Sequence, residues 1–142
     1  MNSEFLAGLV ATSLTTVPAF LTYFILAVLI LVLFLCVYIN VTPYREVALI
    51  RAGNPAAAIS LSGTMIGFAL PVANVIQNSH NLVDLVLWSA IACVVQLTCY
   101  LVARIILPHL ARDIPDGKLA PAIFLAALSI SVGLINAACM EY

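Results

Sequence analysis

The chain has 142 residues, of which 65% are hydrophobic and 8% charged, with a formal net charge of −1. Soluble domains carry roughly 25% charged residues, so these values, with a mean hydropathy of +1.20, exclude an ordinary soluble globule and indicate one membrane-embedded domain. The few cations divide between two loops and form no basic stripe, which excludes a nucleic-acid binder and leaves the lipid bilayer as the first partner.

The first apolar stretch, Phe5 to Ile39, is too long for one simple span, and Pro18 divides it. Proline suits the first turn of a helix, where its missing N–H would be unpaired anyway. Thr12, Ser13, Thr15 and Thr16 precede it as capping residues. The pattern predicts an outer interfacial segment over residues 1–17 and a first span over Pro18–Ile39. That span rises about 33 Å as a helix, enough for a hydrocarbon core of roughly 30 Å. The first charge is Glu4, where a cleavable signal peptide would carry a positive n-region, so the N-terminal segment is expected to be retained.

Span two is predicted over Ala56–Ile76, span three over Leu82–Leu107 and span four over Leu119–Met140. Pro71 is expected to bend span two, because it removes a helical hydrogen bond. Nearby Ser or Thr side chains, or water, would satisfy the carbonyl it frees. Tyr23, Trp88 and Tyr142 fall toward the outer ends of these spans, and Tyr38, Tyr44 and Tyr100 toward the inner ends, as aromatic belts do.

Between spans one and two, Thr42-Pro43 opens a short predicted helix running to Ala52. Gly53 supplies a left-handed C-cap and Pro55 blocks continuation. Arg45 and Glu46 are expected to face water, and Val47, Ile50 and Tyr44 the lipid headgroups. The second loop begins at Pro108, carries His109, Arg112 and Asp113, and closes in a turn at Pro115-Asp116-Gly117. Every cation lies in or beside these two loops, Arg45 and Arg51 in the first, Arg112 and Lys118 in the second, and Arg104 near the adjoining end of span three, where it can snorkel to the interface. The remaining segments carry Glu4, Asp84 and Glu141. Lysine and arginine are retained on the cytoplasmic side, which predicts cytoplasmic loops and both termini outside.

Spans two and four carry similar small-residue stripes, Ser60, Gly63, Gly67 and Asn74 in one, Ala126, Ser129, Gly133 and Asn136 in the other. The two asparagines are 62 positions apart and the two loop prolines, Pro43 and Pro108, 65. Such stripes let membrane helices approach closely. The predicted fold is an all-α membrane protein with four transmembrane helices as two tandem helical hairpins, residues 18–77 and 82–140, both termini outside, in a homo-oligomer.

Charge inside a bilayer is costly and usually functional, and the span interiors carry none, so no carboxylate relay or carrier ion pair is expected. His80 and His109 fall in loops on opposite faces. Cys36, Cys93, Cys99 and Cys139 lie in apolar blocks without a CxxC or zinc spacing, and are expected to pack as small hydrophobes. Ser62-Gly63 sits mid-span with no histidine or acid at its depth. No enzymatic role, metal or cofactor is expected. The remaining polar span residues (Ser60, Ser62, Thr64, Asn74, Gln96, Thr98, Ser129, Ser131 and Asn136) fit helix packing. The alternative is a pore in an oligomeric channel, one four-helix unit being too narrow alone.

Arg45, Glu46, Arg51 and Asn54 form the candidate docking surface, charge-assisted hydrogen-bonding groups on a short helix beside the membrane. Its two arginines fall short of the roughly four to eight cations of a lipid-recognition cluster. A cytoplasmic protein is therefore the expected partner.

Thr42-Pro43, Glu46, Leu49-Ile50, Gly53-Asn54, Ala56-Ala57 and the run Leu61-Ser62-Gly63-Thr64, with the ending Asn136-Ala137-Ala138-Cys139-Met140, resemble the YjfL-like family of small bacterial inner-membrane proteins. The resemblance extends from about span one to the end, and Glu46, Gly53, Asn54, Gly63, Gly67, Pro71, Asn136 and Cys139 match its motifs. It implies four spans in tandem two-span repeats and no particular reaction. Genes of the family often neighbour ATP-grasp ligases and proteins resembling a phage-shock membrane-stress factor, which implies an anchor or sensor in an envelope-stress or membrane-maintenance system. The segment 1–16 extends beyond the family's pattern.

Overall fold

The computed structural model describes residues 2–140. It contains seven helices among them: α1 (Ser3–Leu14), α2 (Val17–Val41), α3 (Glu46–Arg51), α4 (Pro55–Asn78), α5 (Leu82–Ile106), α6 (Leu110–Asp113) and α7 (Leu119–Cys139). Glu141 and Tyr142, assigned above to the outer face, lie outside the described residues. Four helical stretches are long and apolar enough to cross a membrane: Ser3–Val41, Pro55–Asn78, Leu82–Ile106 and Leu119–Cys139. The predicted limits of spans two to four lie within two residues of α4, α5 and α7.

The first stretch is longer than a bilayer core is thick, and it divides at Thr15–Thr16. There the Thr15 N–H donates to Ala11 and the Thr16 N–H to Ser13, both at 3.2 Å, before Pro18 opens α2. All of α1 is exposed, and α2 buries only Phe34 and Tyr38. In lipid such exposed Phe, Leu and Val side chains need no protein partner, since acyl chains are as apolar as they are.

The packed centre is formed by α4, α5 and α7, with the α4–α7 interface the most extensive. Ser60, Gly63, Thr64, Gly67, Phe68, Pro71 and Val75 are buried along one face of α4, and Ala122, Ala126, Ser129 and Gly133 along the facing side of α7. A Cβ on Gly63 would overlap Ala126, and one on Gly67 would overlap the backbone of Ser129. The small-residue stripes are thus consumed inside the chain, as close backbone approach requires. On the other flank, Phe34 of α2 stacks on Phe68 of α4, with ring centroids 4.1 Å apart.

Helix α4 runs through Pro71 without interruption. Proline supplies no N–H to the carbonyl four residues back, which is that of Gly67, and this carbonyl lies against Gly133 rather than a Ser or Thr side chain.

Both loops end in the same device. Gly53 has φ +85° and Gly117 φ +78°, the left-handed conformation that glycine adopts without a Cβ penalty. After α3, the Gly53 N–H donates to Ile50 and the Asn54 N–H to Leu49. After α6, the Gly117 N–H donates to Ile114 and the Lys118 N–H to Asp113. These are Schellman closures, which satisfy carbonyls that a helix end leaves open. The first loop is shorter in helix than predicted: residues 42–45 form a bend, and α3 starts only at Glu46.

Candidate functional site

The two loops and the ends of the long helices come together at one end of the bundle. Arg45, Arg51, Arg104, Arg112 and Lys118 all sit there, while Asp84 opens α5 at the other end. Asn54 ties the loops together. Its side-chain oxygen accepts the Ala57 N–H at 3.1 Å and so caps α4, while its amide donates to the carbonyls of Ile114 (3.0 Å) and Pro115 (3.1 Å). Beneath this bridge Leu110 and Ile114 are fully buried, and Lys118 pairs with Asp113 at 3.2 Å on the surface.

Of the proposed docking residues, Arg45 and Arg51 are exposed, together with Val47 and Ile50. Glu46 is not. Its exposure is 0%, which corrects the expectation that it faces water. Tyr44, expected among the headgroups, is buried as well. Asn54 is half-buried and its polar atoms are engaged within the chain.

The carboxyl of Glu46 enters the bundle end among aromatic hydroxyls. It interacts electrostatically with Tyr38 of α2, Tyr44 of the first loop and Tyr100 of α5, all buried. Tyr38 and Tyr100 meet edge to face with centroids 5.6 Å apart. Neither carboxyl oxygen of Glu46 makes a hydrogen bond of good geometry among the described residues, while the Tyr44 and Tyr100 hydroxyls lie close enough to act on each other. The Thr42 hydroxyl is near enough to favour the charged carboxylate, and it also has the Ile39 carbonyl within reach at 3.2 Å and the Tyr44 carbonyl at 3.5 Å. Burial therefore dominates and pushes the Glu46 carboxyl up to about 7, because low-dielectric surroundings disfavour the ion. The Tyr44 phenol is held well above its ordinary range by the same burial.

A row of polar groups continues from this cluster into the bundle. Thr64 Oγ1 is hydrogen-bonded to the Tyr38 hydroxyl (3.2 Å) and the Ser60 carbonyl (3.1 Å), and lies 3.5 Å from Ser129 Oγ. Gln96 donates to the Ser129 carbonyl at 3.1 Å, and Cys99 Sγ is 3.8 Å from Ser129 Oγ. At the far end, Asn74 donates to the Ala137 carbonyl at 2.9 Å, while the buried amide nitrogen of Asn136 has no partner among the described residues. Cys36 and Cys139 lie on the outer surface of the bundle instead of inside it.

Reasoning from spans alone overlooked Tyr38, Tyr44 and Tyr100 as companions of Glu46. One signal was available: Tyr38 and Tyr100 are separated by 62 positions, the spacing of Asn74 and Asn136. Among the described residues no group of three or more His, Cys, Asp or Glu is placed to hold a metal.

The family described as Domain of Unknown Function (DUF350) matches residues 10–140. The inner membrane protein YjfL of Escherichia coli (strain K12), assigned to UPF0719, is 33% identical over 129 residues, covering 91% of this chain and 98% of that protein. The UPF0719 transmembrane protein YshE of Bacillus subtilis (strain 168) is 31% identical over 112 residues, 79% of this chain and 84% of the relative. No solved structure matches the chain significantly. With four stretches of spanning length and these relatives, the chain is an integral, multi-pass inner-membrane protein and belongs to the DUF350/UPF0719 family.

Proposed function

We propose that this protein is a membrane-embedded anchoring or signalling module that presents its loop end to a cytoplasmic partner protein. In this reading the chain is two tandem hairpins, residues 18–77 and 82–140, with both loops cytoplasmic and both termini outside. The shared Schellman closures at Gly53 and Gly117 support the duplication, and the gathering of every cation at one end supports the orientation. The observation that carries the function is the bridge from Asn54 to Ile114 and Pro115. It joins two loops into one ordered platform from which Arg45 and Arg51 project, beside the exposed apolar residues Val47 and Ile50. A rigid platform lowers the ordering cost of binding. The role is non-enzymatic, in a membrane-maintenance system of the kind the family resemblance implies.

In-cell photo-crosslinking from positions 45 and 51, with mass spectrometry of the products, tests it. A specific soluble partner supports docking; self-crosslinks alone refute it.

An oligomeric channel is a second reading, favoured by the exposure of Ser62, Thr98 and Ser131 on the bundle surface, where a neighbouring copy would complete a polar lining. The rest of the polar row, Thr64, Ser129 and Gln96, is turned inward onto itself. Solute flux in proteoliposomes distinguishes this reading from docking.

A further inference from the structure

The strongest unexplained feature of the molecule is a buried acid that no cation neutralises. Both oxygens of Glu46 are enclosed and, among the described residues, without a hydrogen bond of good geometry, an arrangement whose desolvation cost is large when the group is ionised. The groups around it are phenols and hydroxyls. Helix α2 contributes Tyr38, the bend before α3 contributes Thr42 and Tyr44, and α5 contributes Tyr100. Helix α4 adds Thr64 through Tyr38 and has no titratable side chain. Cys99 interacts with Tyr38, and Arg104 acts on Tyr100. Arg45 and Arg51 are exposed, and Arg112, Asp113 and His109 belong to the second loop around α6.

We propose that Glu46, enclosed by Thr42, Tyr38, Tyr44 and Tyr100, is a proton-binding site that latches α3 onto the bundle when neutral and releases it when ionised. With both oxygens inaccessible from the surface, a proton is the smallest group that can neutralise the carboxyl. The segment that carries it is suited to move. Helix α3 has six residues, too few to hold its shape alone, and packs chiefly on α4. It is flanked by the bend at residues 42–45 and by Gly53 with φ +85°. Burial raises the carboxyl to about 7, so the proton would exchange near neutral pH. Release would change the presentation of Arg45 and Arg51, but the latch exists whether or not a partner docks there, and its test needs none.

The experiment is hydrogen exchange of residues 45–54 in the full chain, reconstituted in lipid, after correction for the intrinsic pH dependence of exchange. In the packed state the carboxyl titrates near 7 and in the released state near its ordinary value. The opening constant should therefore rise about tenfold per pH unit between about pH 5 and pH 7, then level off. Glu46→Gln, neutral at every pH, should hold the low-pH level throughout. A pH-independent wild type, or a variant that follows the wild type, overturns the proposal. Carboxyl-labelled glutamate in the wild type supplies a measurement that needs no variant. By NMR, Glu46 should be protonated at about pH 6, well above the ordinary carboxylate range. An ionised Glu46 at that pH overturns the site, and a titrating Glu46 without change in exchange overturns the latch.

Discussion

Gly67 and Gly133 meet backbone to backbone where α4 crosses α7, so close that a Cβ on Gly133 would overlap the Gly67 carbonyl. Pro71 is responsible for the state of that carbonyl, since it withholds the N–H that would otherwise bind it. Gly133→Ala forces the two helices apart and should cost about 1–3 kcal/mol or more. Gly8→Ala, in open space on α1, should be neutral or slightly stabilising. Thermal unfolding in detergent checks the pair, and equal effects would remove the α4–α7 crossing as the centre of stability.

Asn54 separates capping from bridging. Asn54→Ala loses the cap, at about 1 kcal/mol, and both bonds to the second loop. Asn54→Asp keeps an acceptor for the Ala57 N–H but sets a carboxylate against the Ile114 and Pro115 carbonyls. Hydrogen exchange over residues 108–118 should accelerate in both variants, while the first turn of α4 should loosen only in Asn54→Ala. Loosening confined to α4 in both would mean that the bridge contributes nothing.

The stability of the whole chain should fall as pH rises from about 4.5 to about 7. The Glu46 carboxyl is raised in the folded state, from 4.5 to about 7, so the folded protein holds a proton that the unfolded chain has released in this window. Its contribution is therefore complete below the unfolded value and is lost as pH passes through the folded one. The loss is on the order of 2–3 kcal/mol, and Glu46→Gln should abolish it. Unfolding midpoints across this range, for both proteins, provide the check.

The proposed orientation predicts the labelling pattern of single cysteines in a chain lacking the native four. Asn2→Cys and Asn81→Cys should react with an impermeant reagent from outside the cell, and Ala52→Cys should not. Ala52 is preferable to Gly53, whose φ of +85° would strain any side chain. Reaction at position 52 in sealed cells would reverse the assignment.

The helices were legible because hydropathy, prolines and glycines act locally. Pro55 and Gly53 mark the start of α4 and the end of α3 whatever surrounds them. The small stripes were legible too, though not their partner: Gly63, Gly67 and Gly133 serve the contact between α4 and α7 within the chain. Glu46 was misread because a charged residue on a short amphipathic segment beside arginines has every local reason to face water. Its burial depends on Tyr38 and Tyr100, distant in sequence and joined only by the packing of α2 and α5 at the loop end.

A membrane-embedded chain, helices long enough to span, the turns that end them and the family all follow from the order of residues, because transfer to lipid and backbone conformation are set residue by residue. Where the polar groups go depends on how the helices pack. That packing turned Thr64, Ser129 and Gln96 toward one another, spent Asn54 on the second loop, and drew Glu46 beneath the surface. A carboxyl's charge state follows from the solvent it loses, and that loss is fixed by side chains brought together from α2, α5 and the bend before α3.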